Sequence, residues 1–462
     1  MSKIKFSIAL LTIILIGFSN CKNNDNPNND PKTYIVTDDG SGVGTTTWKT
    51  GNTYILAGRV FVNDGQVLTI EPGVVVKGRA GEGENASALI VARGGKIYAE
   101  GSAEKPIIFT AESDNLTGNI DYLEKGLWGG VIILGNAALN SEPGESSIEG
   151  IPIGEPRGIY GGNVDSDNSG VFKYVSIRHG GSNIGEGNEI NGLTLGGVGS
   201  GTTIEFVEVI SNKDDGFEFF GGTVVCKHLI SAFNGDDAFD YDEGWRGKGQ
   251  FWLAVQDVTD NISGDFLGEH DGGTNPENGI PFATPDIYNV TYFGKGSGNA
   301  NGTIIFRNNA GGNYVNSIFL NQDKGIEIEI LASTDHSYAR LIANDLSIRN
   351  NIFTNVAEDS ISEIIKIVTD PYNSNAADAA SISSANIAIA NYFLEKENSF
   401  EDSGLQIQNS ENKIKVIPQP GGPAFSNIAP YPSGLESVNY KGAFGTENWA
   451  EGWTLVNAYI LH

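Results

Sequence analysis

Two stretches decide the fold: SNKDDGFEFF at 211–220 and FNGDDAFDYD at 233–242. At an offset of 22, Asn212 meets Asn234, Asp214 meets Asp236, Asp215 meets Asp237, Phe217 meets Phe239, Glu218 meets Asp240 and Phe219 meets Tyr241. Acid matches acid and ring matches ring at one period. A repeat of twenty to thirty residues is the mark of a solenoid, in which each coil buries its apolar face against the next. Equivalent residues of stacked parallel coils lie about 4.8 Å apart. The spacing therefore predicts ladders, with Phe217 on Phe239 and Phe219 on Tyr241.

The same form recurs on both sides. FKYVSIRHGG at 172–181, TIEFVEVISN at 203–212, VVCKHLISAFN at 224–234, GNYVNSIFLN at 312–321 and DLSIRNNIFTN at 345–355 are alternating apolar runs that end in a polar turn. They are rich in Val, Ile and Phe, as strands are. Asn at the turn tolerates the left-handed conformation and bonds its own backbone, which suits the corner of a coil. An antiparallel sandwich is the alternative, but it needs tight hairpins, and Asn-Gly signals are few. The reading is an all-β chain, a single-stranded parallel β-helix over 34–462. One segment departs from the pattern. AADAASISSANIAIANYFLEK at 376–396 is Ala- and Ser-rich with helical apolar spacing, and reads as a helix inserted between coils. The aromatic segment at about 438–455, with Trp449 and Trp453, is expected to cap the last coil.

At the N-terminus, Lys3 and Lys5 precede the apolar run FSIALLTIILIGF at 6–18, which is too short to span a bilayer. Ser19, Asn20 and Cys21 follow. Residues 1–20 resemble a lipoprotein signal peptide, with Cys21 the lipidated residue, although Phe18 and Asn20 stand where Leu and a small residue are usual. The polar run KNNDNPNNDP reads as a flexible tether over 21–33. A diacylated Cys21 gives stable membrane anchoring. The expected location is the outer membrane at the cell surface. No other stretch has the length of a transmembrane helix.

Net charge narrows the partners. The chain of 462 residues carries 57 acidic against 29 basic side chains, a net charge of −28. Such a surface repels nucleic acid and anionic lipid and favours cations. With Cys21 lipidated, Cys226 is the second of only 2 cysteines and has no intramolecular partner. Its apolar neighbours predict a buried, inert thiol.

The run TIEPGVVVKG at 69–78, followed by KIYAEGSAEKPIIFTA at 96–111, resembles the opening coils of bacterial pectin-lyase-like β-helix proteins. GLWGGVIILGNA at 126–137, the segment 188–257 and YKGAFGTENWAEGW at 440–453 resemble a family of uncharacterised bacterial surface and secreted lipoproteins of Bacteroidota and spirochaete type. The resemblance spans roughly 48–455. It implies a right-handed β-helix and a surface location, and no particular activity.

The acidic cluster is the first candidate site. Asp214, Asp215, Glu218, Asp236, Asp237, Asp240, Asp242 and Glu243 fall on two adjacent coils. Oxygen-rich sets suit Ca²⁺, which takes six to eight oxygen ligands. Like charges about 5 Å apart repel by roughly 3 kcal/mol at an effective dielectric near 20, so a partly buried ladder wants a cation, a proton or a basic partner such as Lys213 or Arg246. The first Asp of each pair reads as a turn cap; Asp215, Glu218, Asp237 and Asp240 read as metal ligands. The competing reading is a set of solvated turn caps. If the chain is catalytic, as a polysaccharide lyase or glycoside hydrolase, Asp215, Asp237, Asp240 and Arg246 are the candidates, with Arg178, His179 and Lys248 as further basic groups. Trp245, Arg246 and Trp252 form a candidate glycan-binding surface, set against plain aromatic packing. GEHDGG, with Glu269, His270 and Asp271, is a second polar knot, and GGVGSG at 196–201 reads as a turn. The expected role is a monomeric surface module that binds glycan or another envelope protein, with carbohydrate cleavage as the alternative.

Overall fold

Alternation along short β-branched runs places every second side chain inside, and the computed structural model shows where those insides meet. It describes residues 31–184, 189–260, 264–273, 275–408 and 411–461; the expected leader, Cys21 and the expected tether up to residue 30 lie outside the described residues. Strands stack in parallel register in three columns. One column is a 10-stranded sheet running from Arg59–Val62 through Phe217–Phe220 and Phe239–Asp242 to Ile365–Val368. The other two columns form one 19-stranded sheet creased along a corner. Gly170–Arg178, Thr203–Ile210 and Val225–Ala232 run through that crease and bend at Tyr174, Phe206 and His228, with φ of 50°, 54° and 56°. Further along, Asn289, Asn316 and Asn350 make the same corner at φ of 54°, 54° and 56°. The chain is a right-handed parallel β-helix.

The 22-residue step is one coil. Phe217 pairs with Phe239, Glu218 with Asp240 and Phe219 with Tyr241. Phe217 and Phe239 stack at 5.3 Å inside the coil. The second ring ladder is different from the expected one. Phe219 stacks on Trp245 at 4.4 Å, and Tyr241 stacks on His270 at 4.0 Å. Trp245 turns into the core at the corner after Asp242 and takes the place beside Phe219.

The three faces differ in what covers them. The first carries Lys173, Glu205 and Lys227 pointing outward and half-buried, and its later coils meet the C-terminal segment, where Glu436 pairs with Lys227 and Ala429 and Tyr431 pack on Tyr288 and Val315. The second carries apolar residues on its outer side as well, among them Ile210, Ile230, Leu253, Phe293, Ile318 and Ile352. The C-terminal segment lies on them through Leu405, Val416, Phe444, Trp453 and Ile460. It is pinned to corner and strand residues. Asn316 exchanges two hydrogen bonds with the Ala429 backbone, at 3.0 and 2.9 Å. The Glu208 carboxylate, fully buried, accepts the N–H groups of Leu455 and Val456 at 3.0 and 2.8 Å. This corrects the expectation that Trp449 and Trp453 cap the last coil: they pack along the flank, against Phe206 and His228.

The last coil is closed instead by the segment around 376–396. It holds two short helices, Ala379–Ala388 and Tyr392–Glu395. Ala385, Ile389 and Phe393 seal the core. Asn386 bonds both the N–H and the carbonyl of Ile367, at 2.9 Å each, while the Tyr392 hydroxyl accepts the Ile348 N–H and Asn398 donates to the Ile348 carbonyl. Side chains thus satisfy strand-edge groups that an open solenoid end leaves bare. No helix among the described residues is long and apolar enough to cross a membrane.

Candidate functional site

The third face has two halves on its outer side. Over the first coils, Ile90, Ile132 and Leu134 are covered by an insertion at 135–169 through Leu139, Ile148, Ile151 and Tyr160. Beyond them the outward positions turn acidic. Thr194, Glu218, Asp240 and Glu269 stand in one register row, and Asp271 lies one outward position along the same strand from Glu269. The insertion's Glu149 reaches the boundary, where Asn191 donates to both Glu149, at 2.7 Å, and Glu218.

Here the acids expected to be ligands come together. Asp215, Glu218 and Asp240 each offer an oxygen within 4.8 Å of the others, and Asp214, Asp215 and Asp236 form a second such group that shares Asp215. Asp215 is 8% exposed, Glu218 7% and Asp237 4%. Oδ1 of Asp240 is buried without a hydrogen-bond partner among the described residues. Burial first, and neighbouring carboxylates second, push the carboxyls of Asp215, Glu218, Asp237 and Asp240 well above the ordinary range. Asp214 is pushed to about 7 by burial and by Glu149 and Asp236. A charge held in a low-dielectric wall without a counter-charge is costly, and each of these shifts records that cost.

The paired aspartates differ in what they hold. The second of each pair spans coils. Asp215 donates its N–H to Asn191 Oδ1 at 3.2 Å, its own Oδ1 accepts the Asp237 N–H at 2.9 Å, and Asp237 Oδ1 accepts the Phe266 N–H at 2.5 Å. Asp215 still offers an oxygen to the group with Glu218 and Asp240, whereas Asp237 belongs to neither three-carboxylate group. The first of each pair, Asp214 and Asp236, lies nearer solvent.

The basic candidates are elsewhere. Arg246 pairs with Asp165 at 2.5 Å and donates to the Ala138 carbonyl, which fastens the insertion. Lys213 pairs with Glu189 at 3.1 Å. Arg178 and His179 belong to the second face, and Lys248 pairs with Asp286 on the first. Stacking therefore does not bring Arg178, His179, Arg246 or Lys248 to the aspartates. Trp245 and Trp252 are 0% and 1% exposed and stack with Phe219 inside the helix. Neither presents a face to a sugar, so the expected glycan surface at Trp245, Arg246 and Trp252 does not form. Cys226 is buried among apolar residues, which raises its thiol pKa. In GEHDGG, strand alternation parts the three groups. His270 points inward to the Tyr314 hydroxyl at 2.6 Å, while Glu269 and Asp271 point outward to Arg307. GGVGSG is a turn: a side chain at Gly199 would meet the Asp167 N–H at 2.4 Å, where the insertion returns.

Three residues of the site escaped the sequence reading. Arg307 occupies the outward position one coil above Asp271, but those coils differ in length from the 22-residue pair, so the offset does not reveal it. Glu149 comes from the insertion and Asn191 from the preceding coil, neither marked by a repeat. A family model described as a pectate-lyase like beta helix domain matches residues 40–394. No curated protein and no solved structure matches the chain.

Proposed function

The chain belongs to the pectate-lyase-like beta-helix domain family, and from that premise we propose that it is a binding and structural module of the bacterial cell surface. In this reading it is anchored at the outer membrane through Cys21, acts as a monomer, and presents its long faces to glycan or to another envelope protein. A divalent cation, Ca²⁺, sits among Asp215, Glu218 and Asp240 and makes the acidic half of the third face rigid.

One observation carries the proposal: three largely buried carboxylates converge within 4.8 Å, and among the described residues none of the three stands in an ion pair. Arg307, one coil further on, is paired with Glu269 and Asp271. Hard oxygen donors of this kind match Ca²⁺, and the ion would supply the missing counter-charge. The same burial counts against a polysaccharide lyase or glycoside hydrolase. A general acid or base must reach its substrate, and Asp215 and Asp237 each hold a peptide N–H inside the wall.

Thermal melts in Ca²⁺ and in chelator test the cation. At a hundredfold excess over Kd, binding to the folded state adds about 2.7 kcal/mol, so a clear rise in Tm is expected, and Asp240→Asn removes it. An equal Tm in chelator and in Ca²⁺ would sink the calcium reading. A glycan panel scored for both binding and turnover separates the two functional readings; turnover abolished by Asp237→Ala would favour the enzyme.

A further inference from the structure

We infer that the groove at the closed end of the β-helix is a docking site for a basic amphipathic peptide helix. The groove measures about 820 Å³ and is floored by Ile361, Ile365, Ile387, Ile389 and Ala390. Two of these side chains stand in solvent, Ile361 at 44% and Ile387 at 73% exposure, although the helices that carry them pack their other faces on the core. The walls are the helices Ile361–Ile364 and Ala379–Ala388 and the last strand of the third face, Ile365–Val368. A helix laying one apolar face into such a channel buries both isoleucines, the groove mode of peptide recognition.

Charge selects the partner. A second hollow, of about 250 Å³, adjoins the first and shares Glu363 and Lys366 with it. Together the two are lined by Asp323, Glu327, Glu358, Asp359 and Glu363 against only Lys324 and Lys366. Both lysines are already engaged, Lys366 with Glu363 at 2.6 Å and Lys324 with Glu327 at 3.9 Å. The rim is therefore left acidic, which repels a second copy of this acidic chain and attracts Lys and Arg flanking an apolar stripe.

The backbone between the hollows is unusual. Ala357, Glu358 and Asp359 take φ of 49°, 54° and 52° in succession, a left-handed turn made without glycine. Elsewhere among the described residues left-handed residues other than glycine come singly or, at Asn308 and Asn309, as a pair, and are often Asn. This turn carries Glu358 to one hollow and Asp359 to the other. Strain of this kind gathers at ligand clamps. The inference uses neither the calcium site nor the anchor.

A fluorescent Leu/Lys amphipathic helix of about five turns, titrated into the full chain at physiological ionic strength with Ca²⁺ held constant, tests it by anisotropy. Saturable one-to-one binding is expected. The double variant Ile361→Ser, Ile387→Ser and the double variant Asp359→Asn, Glu363→Gln should each weaken it by at least about tenfold. All four positions lie at or near the surface, and unchanged melting confirms that the variants fold. Equal binding by a scrambled peptide of the same charge, or by both double variants, would reduce the effect to net-charge attraction and overturn the inference. Full displacement by monomeric dodecylamine would assign the groove to small amphiphiles and overturn it equally.

Discussion

Asp215 is held by its backbone and by its side chain, the N–H to Asn191 and one carboxylate oxygen to the next coil. One oxygen accepts the Asp237 N–H, and the residue faces Glu218 and Asp240 in the wall. Its carboxyl is raised, as are those of Asp214 and Glu269, each to about 7 from 3.8 and 4.5. A carboxyl whose folded pKa lies above its unfolded pKa binds more protons in the folded state. Its stabilising contribution is full below the unfolded value and is lost as pH rises through the folded one. For Asp214 and Glu269 that window runs from about pH 4 to about pH 7. In chelator, the wild-type chain should lose stability across it faster than Asp214→Asn, and Ca²⁺ should restore most at the alkaline end. Tm against pH for the two proteins, with and without the ion, checks this. Parallel profiles would count against cluster repulsion. The pairing of Asp215 with Asp237 was legible in the sequence because their two coils have one length. The bonds that Asp215 and Asp237 make to backbone N–H groups of the next coil were not, because they depend on how each side chain turns within the wall.

The corners show how single residues become an element. Asn316 adopts φ of 54° and bonds both backbone groups of Ala429. Asn289 and Asn350 do related work, donating to the backbone carbonyls of Tyr440 and Asn427. Asparagine at these positions serves the turn and the C-terminal segment at once. Asn316→Ala loses two side-chain bonds, roughly 1 kcal/mol each, together with asparagine's tolerance of the left-handed conformation, worth up to roughly 1 kcal/mol, so a loss of roughly 2–3 kcal/mol is expected. Asn316→Gly removes the backbone cost and should recover part of it. Denaturant midpoints of the two variants decide the matter, and equal midpoints would show that only the hydrogen bonds count. The sequence marked these asparagines as corners, yet it gave no sign of the segment they clasp. That segment's apolar residues match positions on many coils rather than one, so no period links them. Trp449 and Trp453 consequently read as an end cap when they are part of a flank.

At the scale of the molecule, a β-helix is a line of coils in which each touches only its neighbours, and its stability is distributed accordingly. The two ends are unequal. At the far end Asn386, Tyr392 and Asn398 tie up strand-edge groups and Phe393 seals the core. At the near end Thr33–Val36 pairs, among the described residues, with Thr53–Leu56 alone, and Ile35 is 63% exposed. The middle holds the unbalanced acids. Local opening free energies should therefore be lowest at 33–36, high in the stacked rings around Phe217 and Phe239, and sensitive to the cation in those same middle coils. Hydrogen exchange followed by mass spectrometry reads all three. With Ca²⁺ present, peptides from 33–36 should exchange first and peptides from 217–220 and 239–242 among the last. Chelation should speed exchange at 212–220 and 234–242 while leaving 33–36 and 365–368 unchanged, because a nearest-neighbour solenoid confines a local loss to adjoining coils. Uniform acceleration along the chain would mean that the coils open as one cooperative body, with the flank segment, which bridges many of them, overriding the solenoid's local character.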